Sequence, residues 1–507
     1  MTPGQSLRIG ARKDPRLRKV FLSMSHRTLV RALLVASLGF TSLIGCGSDE
    51  ESAPSGKLGA SCDPQHDPCN TGLTCAEMPD GDHRCYAETI LRGLVKDASS
   101  GQPVAGAHVM ALNDKGAPVT DVAKTDTQGN YELSVPTARG ADGEPIDSKF
   151  TLRAAAQDYQ AFPYGSRVAL PIAVEGAALE DNRYVVENAL TSVDLIPLPA
   201  GDRSLIEGSI VALAGHADAP IGGVLVVATG GDGAESGISD KSGAFSVFNV
   251  PAGSQELKAY GAHIQLESKS VTVTTDALTG VALHELDAAT TTVSGNVQLV
   301  NAPGGSMTSV ILVVEDTFDA SVARGEAPSG LRAPGTGAPN VTGAFSIAGV
   351  PAGKYVVLAA YENDDLVRDP DTSISGTDFV HIEVKSGEPT LEISDGFKVT
   401  QALGTVAPGV DGPEAVSEKP DLVWADDSSE DGYALRVFDA LGNEVWQQLD
   451  LPPVKGSKTV SVKYEGPLDP GMYYQFRVSS WRQPSKGERT SISTTEDLRG
   501  VFFLPTP

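Results

Sequence analysis

From about residue 88 onward the chain alternates apolar and polar residues in short runs. Gly, Pro, Asn or Asp breaks each run after a few positions. Side chains repeat every second residue along a strand and every 3.6 along a helix, and no stretch here sustains the helical spacing. The pattern predicts an all-β chain of short strands and tight turns, as in sandwiches. About 420 residues remain after that point, too many for one sandwich and suited to about four.

The same order of phrases occurs three times. A strand-like opening ("LRGLVKD" from Leu91, "LIEGSIVAL" from Leu205, "TVSGNVQLV" from Thr292) precedes an apolar run. That run is "QPVAGAHVMAL" (Gln102–Leu112), then "APIGGVLVVAT" (Ala219–Thr229), then the weaker "NAPGGSMTSVILVVE" (Asn301–Glu315). Next come "TDTQGNYELSVP" from Thr125, "SDKSGAFSVFNVPAG" from Ser239 and "NVTGAFSIAGVPAG" from Asn340. Another strand follows ("FTLRAAA", "SQELKAYG", "KYVVLAAY"), and a closing one ("TSVDLIPL", "GVALHEL", "TLEIS") ends each unit. Three copies of one domain account for this order.

The repeated phrase ending in Val-Pro-Ala-Gly reads as fold punctuation. Asp240 to Gly243 predict a tight turn, with Asp bonding its own backbone and Gly supplying positive φ. Phe245 and Val247 then alternate onto an inner face, and Pro251-Ala252-Gly253 makes the next turn. Gly343 is expected to serve its copy as Gly243 does. No nucleophile, base or metal ligand recurs across the copies, and Asp126 and Asp240 correspond to Asn340.

With these phrases in hand, the repeats resemble the carboxypeptidase regulatory-like domain, a transthyretin-like β-sandwich of about seven strands. The resemblance spans residues 88–199, 203–288 and 290–396, with an insertion at 316–340 in the third copy. Such domains are accessory modules, so the resemblance implies a fold and no catalytic residues. Residues 397–507 resemble a fibronectin type III-like sandwich. Trp424 and the alternating Tyr433, Leu435 and Val437 read as core. Leu468, Pro470 and Gly471 precede Tyr474, whose hydroxyl would bond back to the corner backbone, as in a tyrosine corner. Phe476 and Val478 continue the inward face.

The N-terminal region adds an address. "MSHRTLVRALLVASLGFTSLIGC" (Met24–Cys46) has a basic start and an apolar run from Ala32 to Ile44, then small residues, as an export signal does. The run is too short to span a bilayer. Leu43-Ile44-Gly45-Cys46 resembles the bacterial lipobox, which implies lipidation of Cys46 and removal of residues 1–45; the stretch before Met24 is basic and Pro-containing, unlike a signal, which points to Met24 as the start. Residues 46–60 are polar and Gly/Ser-rich, a flexible tether. Cys62, Cys69, Cys75 and Cys85 follow in a module spanning 61–87. In an exported chain they predict two disulfides with the pairing open. Zinc is the competing reading, and the absence of a C-x-x-C pair opposes it.

Charge narrows the partners. The chain holds 39 Lys/Arg against 65 Asp/Glu, a net −26. Cleavage before Cys46 would remove eight of those 39 basic residues and one of those 65 acidic ones, leaving −33. Nucleic acid and anionic lipid surfaces need basic patches, so neither is expected as a partner. No H-E-x-x-H, G-x-S-x-G, Walker or dinucleotide fingerprint occurs, so no enzyme activity and no cofactor are expected. His108, mid-strand, reads as a packed or surface residue.

Two clusters remain. Glu362, Asp364, Asp365, Asp369, Asp371 and Asp378, and separately Asp426, Asp427, Glu430 and Asp431, are calcium candidates by residue type. Neither has EF-hand spacing, and solvated loop ends are the favoured reading. Tyr159, Phe162 and Tyr164 in "DYQAFPYG" form the one aromatic cluster in a loop-like context, a glycan platform by type. The expectation is therefore a non-enzymatic, lipid-anchored protein of the cell envelope, at the outer membrane. Its sandwiches would serve protein interaction or adhesion, with an envelope protein or polysaccharide as partner. A carbohydrate-binding accessory lipoprotein is the alternative.

Overall fold

The computed structural model describes residues 56–64, 69–231, 233–300, 308–320, 324–335, 341–360, 379–394, 397–400, 402–427, 430–483, 489–496 and 498–506, all within the compact unit Ser52–Pro507. Cys46, its signal region and all six carboxylates of the 362–378 cluster lie outside these residues, as does part of the 316–340 insertion. Among the described residues the regular elements are strands and two short 3-10 turns, so the chain is all-β. No helix there is long and apolar enough to cross a membrane.

The three copies share one wiring. The opening strand pairs antiparallel with the punctuation strand and parallel with the closing strand. These are Thr89–Asp97 with Asn130–Val135 and Val193–Leu195, Arg203–Val211 with Ala244–Pro251 and Leu278–His284, and Thr291–Val300 with Ala344–Val350 and Thr390–Glu392. In the second sheet of each sandwich the apolar run pairs with the strand after the Pro turn. These pairs are His108–Leu112 with Lys149–Ala155, Leu225–Gly230 with Gly253–Tyr260, and Ser309–Val314 with Gly353–Ala360. The second copy thereby closes with three strands facing four. Phe397–Thr400 pairs with Val297–Val300, so the third sandwich runs on to Thr400 and the fourth begins its core at Leu403.

Pro-Ala-Gly is the corner where the chain leaves one sheet for the other, because Ala244–Pro251 and Gly253–Tyr260 belong to different sheets. The turn before it forms as its residues dictate. Asp240 Oδ1 accepts from the Ser242 and Ala244 amides at 2.9 and 3.1 Å, and Gly243 sits at φ 86°. Asp126 builds the same turn with Gln128 and Asn130. The third copy corrects the expectation: Gly343 has no positive φ, and a Cβ there would meet open space. Its carbonyl still accepts from the Val297 amide, as Gly243 accepts from Ile210, so the position is equivalent while the strained turn is gone.

The sandwiches are not separate beads. The central apolar strands are buried on both faces, over their whole length in the first and third copies and through Ala228 in the second. In Leu225–Gly230, Val226 and Ala228 point into the second sandwich's core, while Leu225 and Val227 join Ile238 and Tyr260 in the core of the third. In the first copy, the outward His108 ring meets Phe248 of the second sandwich edge-on at 4.9 Å. In the third, outward Ile311 and Val313 are covered by Phe318, Ala327 and Phe379 of the same copy. Where a next copy follows, it covers this face; in the last copy the insertion does so in part.

The fourth sandwich closes around fully buried Trp424, whose ring is edge-on to Tyr433 at 5.5 Å. The Tyr474 hydroxyl accepts from the Asp469 amide at 3.0 Å, the expected corner bond. Before the first sandwich, Cys62–Cys75 and Cys69–Cys85 interlace two disulfides around a two-stranded ribbon.

Candidate functional site: the joints and the groove they enclose

Joint one to two and joint two to three are made by one device. In copies two and three the punctuation strand carries one residue more between its Gly and its Pro than in copy one, Gly243 to Pro251 against Gly129 to Pro136. The extra residue is a β-bulge: pairing slips between Ser204 and Ile206, and again between Thr291 and Val293. At the bulge Asn249 and Gly349 adopt left-handed φ of 62° and 75°, which these two residue types tolerate best.

Each bulge docks on the preceding sandwich at a loop that is itself left-handed, at Asp158 (φ 66°) and at His263 (φ 64°). Asn249 Oδ1 accepts from the Asp158 amide at 2.6 Å, and its Nδ2 donates to the Tyr159 and Ala156 carbonyls at 2.8 and 3.3 Å. At the next joint the His263 amide donates to the Gly349 carbonyl at 2.8 Å, and the Ala352 amide donates to Gln265 Oε1 at 2.8 Å. A Cβ on Gly349 would stand 2.4 Å from His263 Nδ1, so only glycine fits that approach. In copy three the counterpart of the Asp158 and His263 loops lies outside the described residues.

Two further joints fold the array back on its first member. Arg153, almost fully buried on the outer face of the first sandwich, makes a bidentate pair with Glu326 of the insertion at 2.8 and 3.0 Å. Arg167, also buried, donates to the Gly442 carbonyl at 2.7 Å, to the Leu441 carbonyl at 3.5 Å and to the Asp194 carbonyl of its own sandwich. Asn443 donates to Asp194 Oδ2 at 2.8 Å alongside. Burial holds the Arg167 guanidinium below its ordinary pKa, with Asp194 and Asp439 opposing that shift.

Between sandwiches one, three and four these joints leave a groove of about 520 Å³, inside the range of small-molecule sites. Its walls include Leu112, Val168, Leu170, Leu190 and Val501, and its polar lining is mostly basic. None of this was predicted. The bulge had a signal, the one-residue difference between phrases. Arg153, Arg167 and Glu326 had none, since their partners lie 173 and 275 residues away.

The predicted candidates fare as follows. The glycan trio does not share an exposed face: Phe162 is 2% exposed beneath the Arg167 guanidinium, 5.3 Å from its ring centre. The Tyr159 hydroxyl donates to Asp97 at 3.0 Å, and Tyr164 alone stands out at 55% exposed. Asp426 and Asp427 accept hydroxyls from Tyr433 and Ser480 at 2.9 and 2.7 Å, and Asp431 accepts the Gln483 amide at 2.8 Å. These carboxylates act as loop-end acceptors. Burial raises the Glu430 carboxyl above its usual range, and Asp426 and Asp427 add to the rise. The sulfurs of Cys62, Cys69 and Cys85 lie within 4.8 Å of one another because the two disulfides are adjacent. Sulfur in a disulfide is no thiolate and offers zinc no ligand. His108 is packed, and burial pushes its imidazole down to about 4. Burial pushes the Glu235 carboxyl up to about 7.

No protein-family model matches the chain, and no curated protein matches it. Similar solved structures include the Bacillus anthracis TIE protein, 10% identical with a TM-score of 0.15 over 91% of this chain and 75% of that one. The major pilin subunit of Bacillus cereus is 11% identical with a TM-score of 0.17, covering 62% of this chain and 99% of its own. The minor pilin of Streptococcus agalactiae is 13% identical with a TM-score of 0.14, over 39% and 96%. At TM-scores this low the likenesses assign no role to any residue of this chain.

Proposed function

We propose that this chain is a non-enzymatic scaffold of the cell envelope, lipid-anchored through Cys46. Its carboxypeptidase regulatory-like repeats and terminal sandwich would act as one stiff body that presents an interaction surface. The observation that carries the reading is the pair of return joints, Arg153 to Glu326 and Arg167 to Gly442. Flexible spacers need no contacts between distant domains, since inter-domain motion is the default where interfaces are small. Here two buried arginines fasten the first sandwich to the third and the fourth, and desolvating a guanidinium is costly unless it is paired.

The test uses photo-crosslinking residues placed at exposed positions in cells that make the full chain. Discrete crosslinks to envelope components are expected, weakened when Arg153→Ala and Arg167→Ala are combined. Membrane fractionation with Cys46→Ala tests the anchor, and release of the protein is expected. Crosslinks unchanged by loosening the joints, or full membrane retention of the Cys46 variant, would contradict the proposal.

A further inference from the structure

The groove between sandwiches one, three and four has a charge that its surroundings do not explain. Across the chain, Lys and Arg number 39 against 65 Asp and Glu. Lys115, Lys149, Arg324, Arg332 and Arg499 line the groove, with Asp114 and Asp411 as its acidic lining residues. Lys115 reaches Asp114 at 3.3 Å, and Arg499 reaches Glu496 at 3.3 Å and Asp411 at 3.9 Å. Among the described residues Lys149 and Arg332 make no ion pair. The remaining wall is largely apolar, from aliphatic residues that include Leu112, Val168, Leu170, Leu190 and Val501 and from Phe150 and Tyr473, with Asn113 and Thr151 among its neutral polar members.

We propose that this groove binds a small amphipathic anion, an alkyl chain ended by one carboxylate or phosphate. The apolar wall takes the chain, since apolar surface removed from water is the main attraction of such a site. Lys149 and Arg332 receive the head group. A small ligand answers to these local cations because the field of distant acids is screened beyond about 8 Å in physiological salt. A polyanion would reach past them into the acidic surface and be repelled, so a nucleic acid or an acidic polymer does not fit. The site exists only while the three sandwiches stay joined, so it rests on the same joints as the scaffold reading, and it needs neither the anchor nor an envelope partner.

Calorimetric titration of the full chain with octyl phosphate, octanoate, octanol and inorganic phosphate tests it. One saturable site is expected for octyl phosphate or octanoate, or both. Affinity should be at least tenfold above octanol and inorganic phosphate, and should fall at least tenfold in Lys149→Glu/Arg332→Glu. The pair Lys149→Gln/Arg332→Gln serves as a second variant should charge reversal disturb folding, and the same loss is expected. The relative strength of the two anions tells carboxylate from phosphate. Octanol binding as tightly, inorganic phosphate alone binding as tightly, no saturable binding, or unchanged affinity in both variants would each overturn the proposal.

Discussion

Arg153 of the first sandwich and Glu326 of the third lie 173 residues apart and make a two-point ion pair at 2.8 and 3.0 Å. Arg153 is 9% exposed and Glu326 25%. Removing one member of such a pair leaves a partly buried charge without its counter-ion, which is costlier than removing both. Arg153→Ala should therefore destabilise the folded chain by about 1–3 kcal/mol, discounted for the water that reaches Glu326. The double variant Arg153→Ala/Glu326→Ala should lose less than the sum of the single losses. Denaturant unfolding of the four proteins in that cycle measures it, and strict additivity would show the pair to be uncoupled.

The bulges make a sharper set. Asn249→Ala strands the Asp158 amide and should cost about 1–3 kcal/mol at the first joint. Gly349→Ala adds a Cβ 2.4 Å from His263 at φ 75° and should open the second joint. Gly243→Val forces a β-branched residue to positive φ, a strain of about 1–3 kcal/mol. Gly343→Val should change stability by no more than about 0.5 kcal/mol, as surface substitutions do. Calorimetry on the four variants checks the ranking.

One buried group and one half-buried group predict opposite pH slopes. His108 titrates at about 4 folded against 6.5 unfolded, so between those values the unfolded chain binds more protons and stability falls as pH drops. Glu235 titrates at about 7 folded against 4.5 unfolded, so in that window the folded chain binds more protons and stability falls as pH rises. Melting temperatures across pH 4 to 8 should show His108→Phe flattening the acid limb and Glu235→Gln flattening the upper one.

Peptide mapping should recover Cys62 linked to Cys75 and Cys69 linked to Cys85. Replacing Cys62 and Cys75 together by Ser opens a loop of 13 residues and should cost the small module about 3 kcal/mol. The core of the first sandwich contains no residue of this module, so unfolding of the sandwiches should be unaffected.

What was legible in the chain was local. Alternation at Tyr131, Leu133 and Val135, and at Phe245 and Val247, marked strands and inner faces because a pleat has period two. The apolar run at Val310–Val314 was legible as a strand of the repeat, while its burial on both sides and the residues that cover its second face came only with the fold. The tyrosine corner was readable because Asp469 and Tyr474 lie five residues apart. The joints were not, since Arg153, Arg167 and Asn249 look like any surface polar residue until a partner far along the chain arrives. Gly343 misled for a related reason: an identical phrase around it does not require an identical backbone.

The contact between Arg167 and Gly442 has a mechanical corollary. A pull applied between residue 56 and residue 506 reaches the first sandwich and can pass straight across that contact into the fourth. The second and third sandwiches then lie off the line of tension and bear little force while the contact holds. If it parts, and the Arg153–Glu326 pair parts with it, the pull runs through every sandwich in series, and the distance between the ends grows before any strand is lost. The contact would behave as a mechanical fuse, with the middle of the chain as the slack behind it.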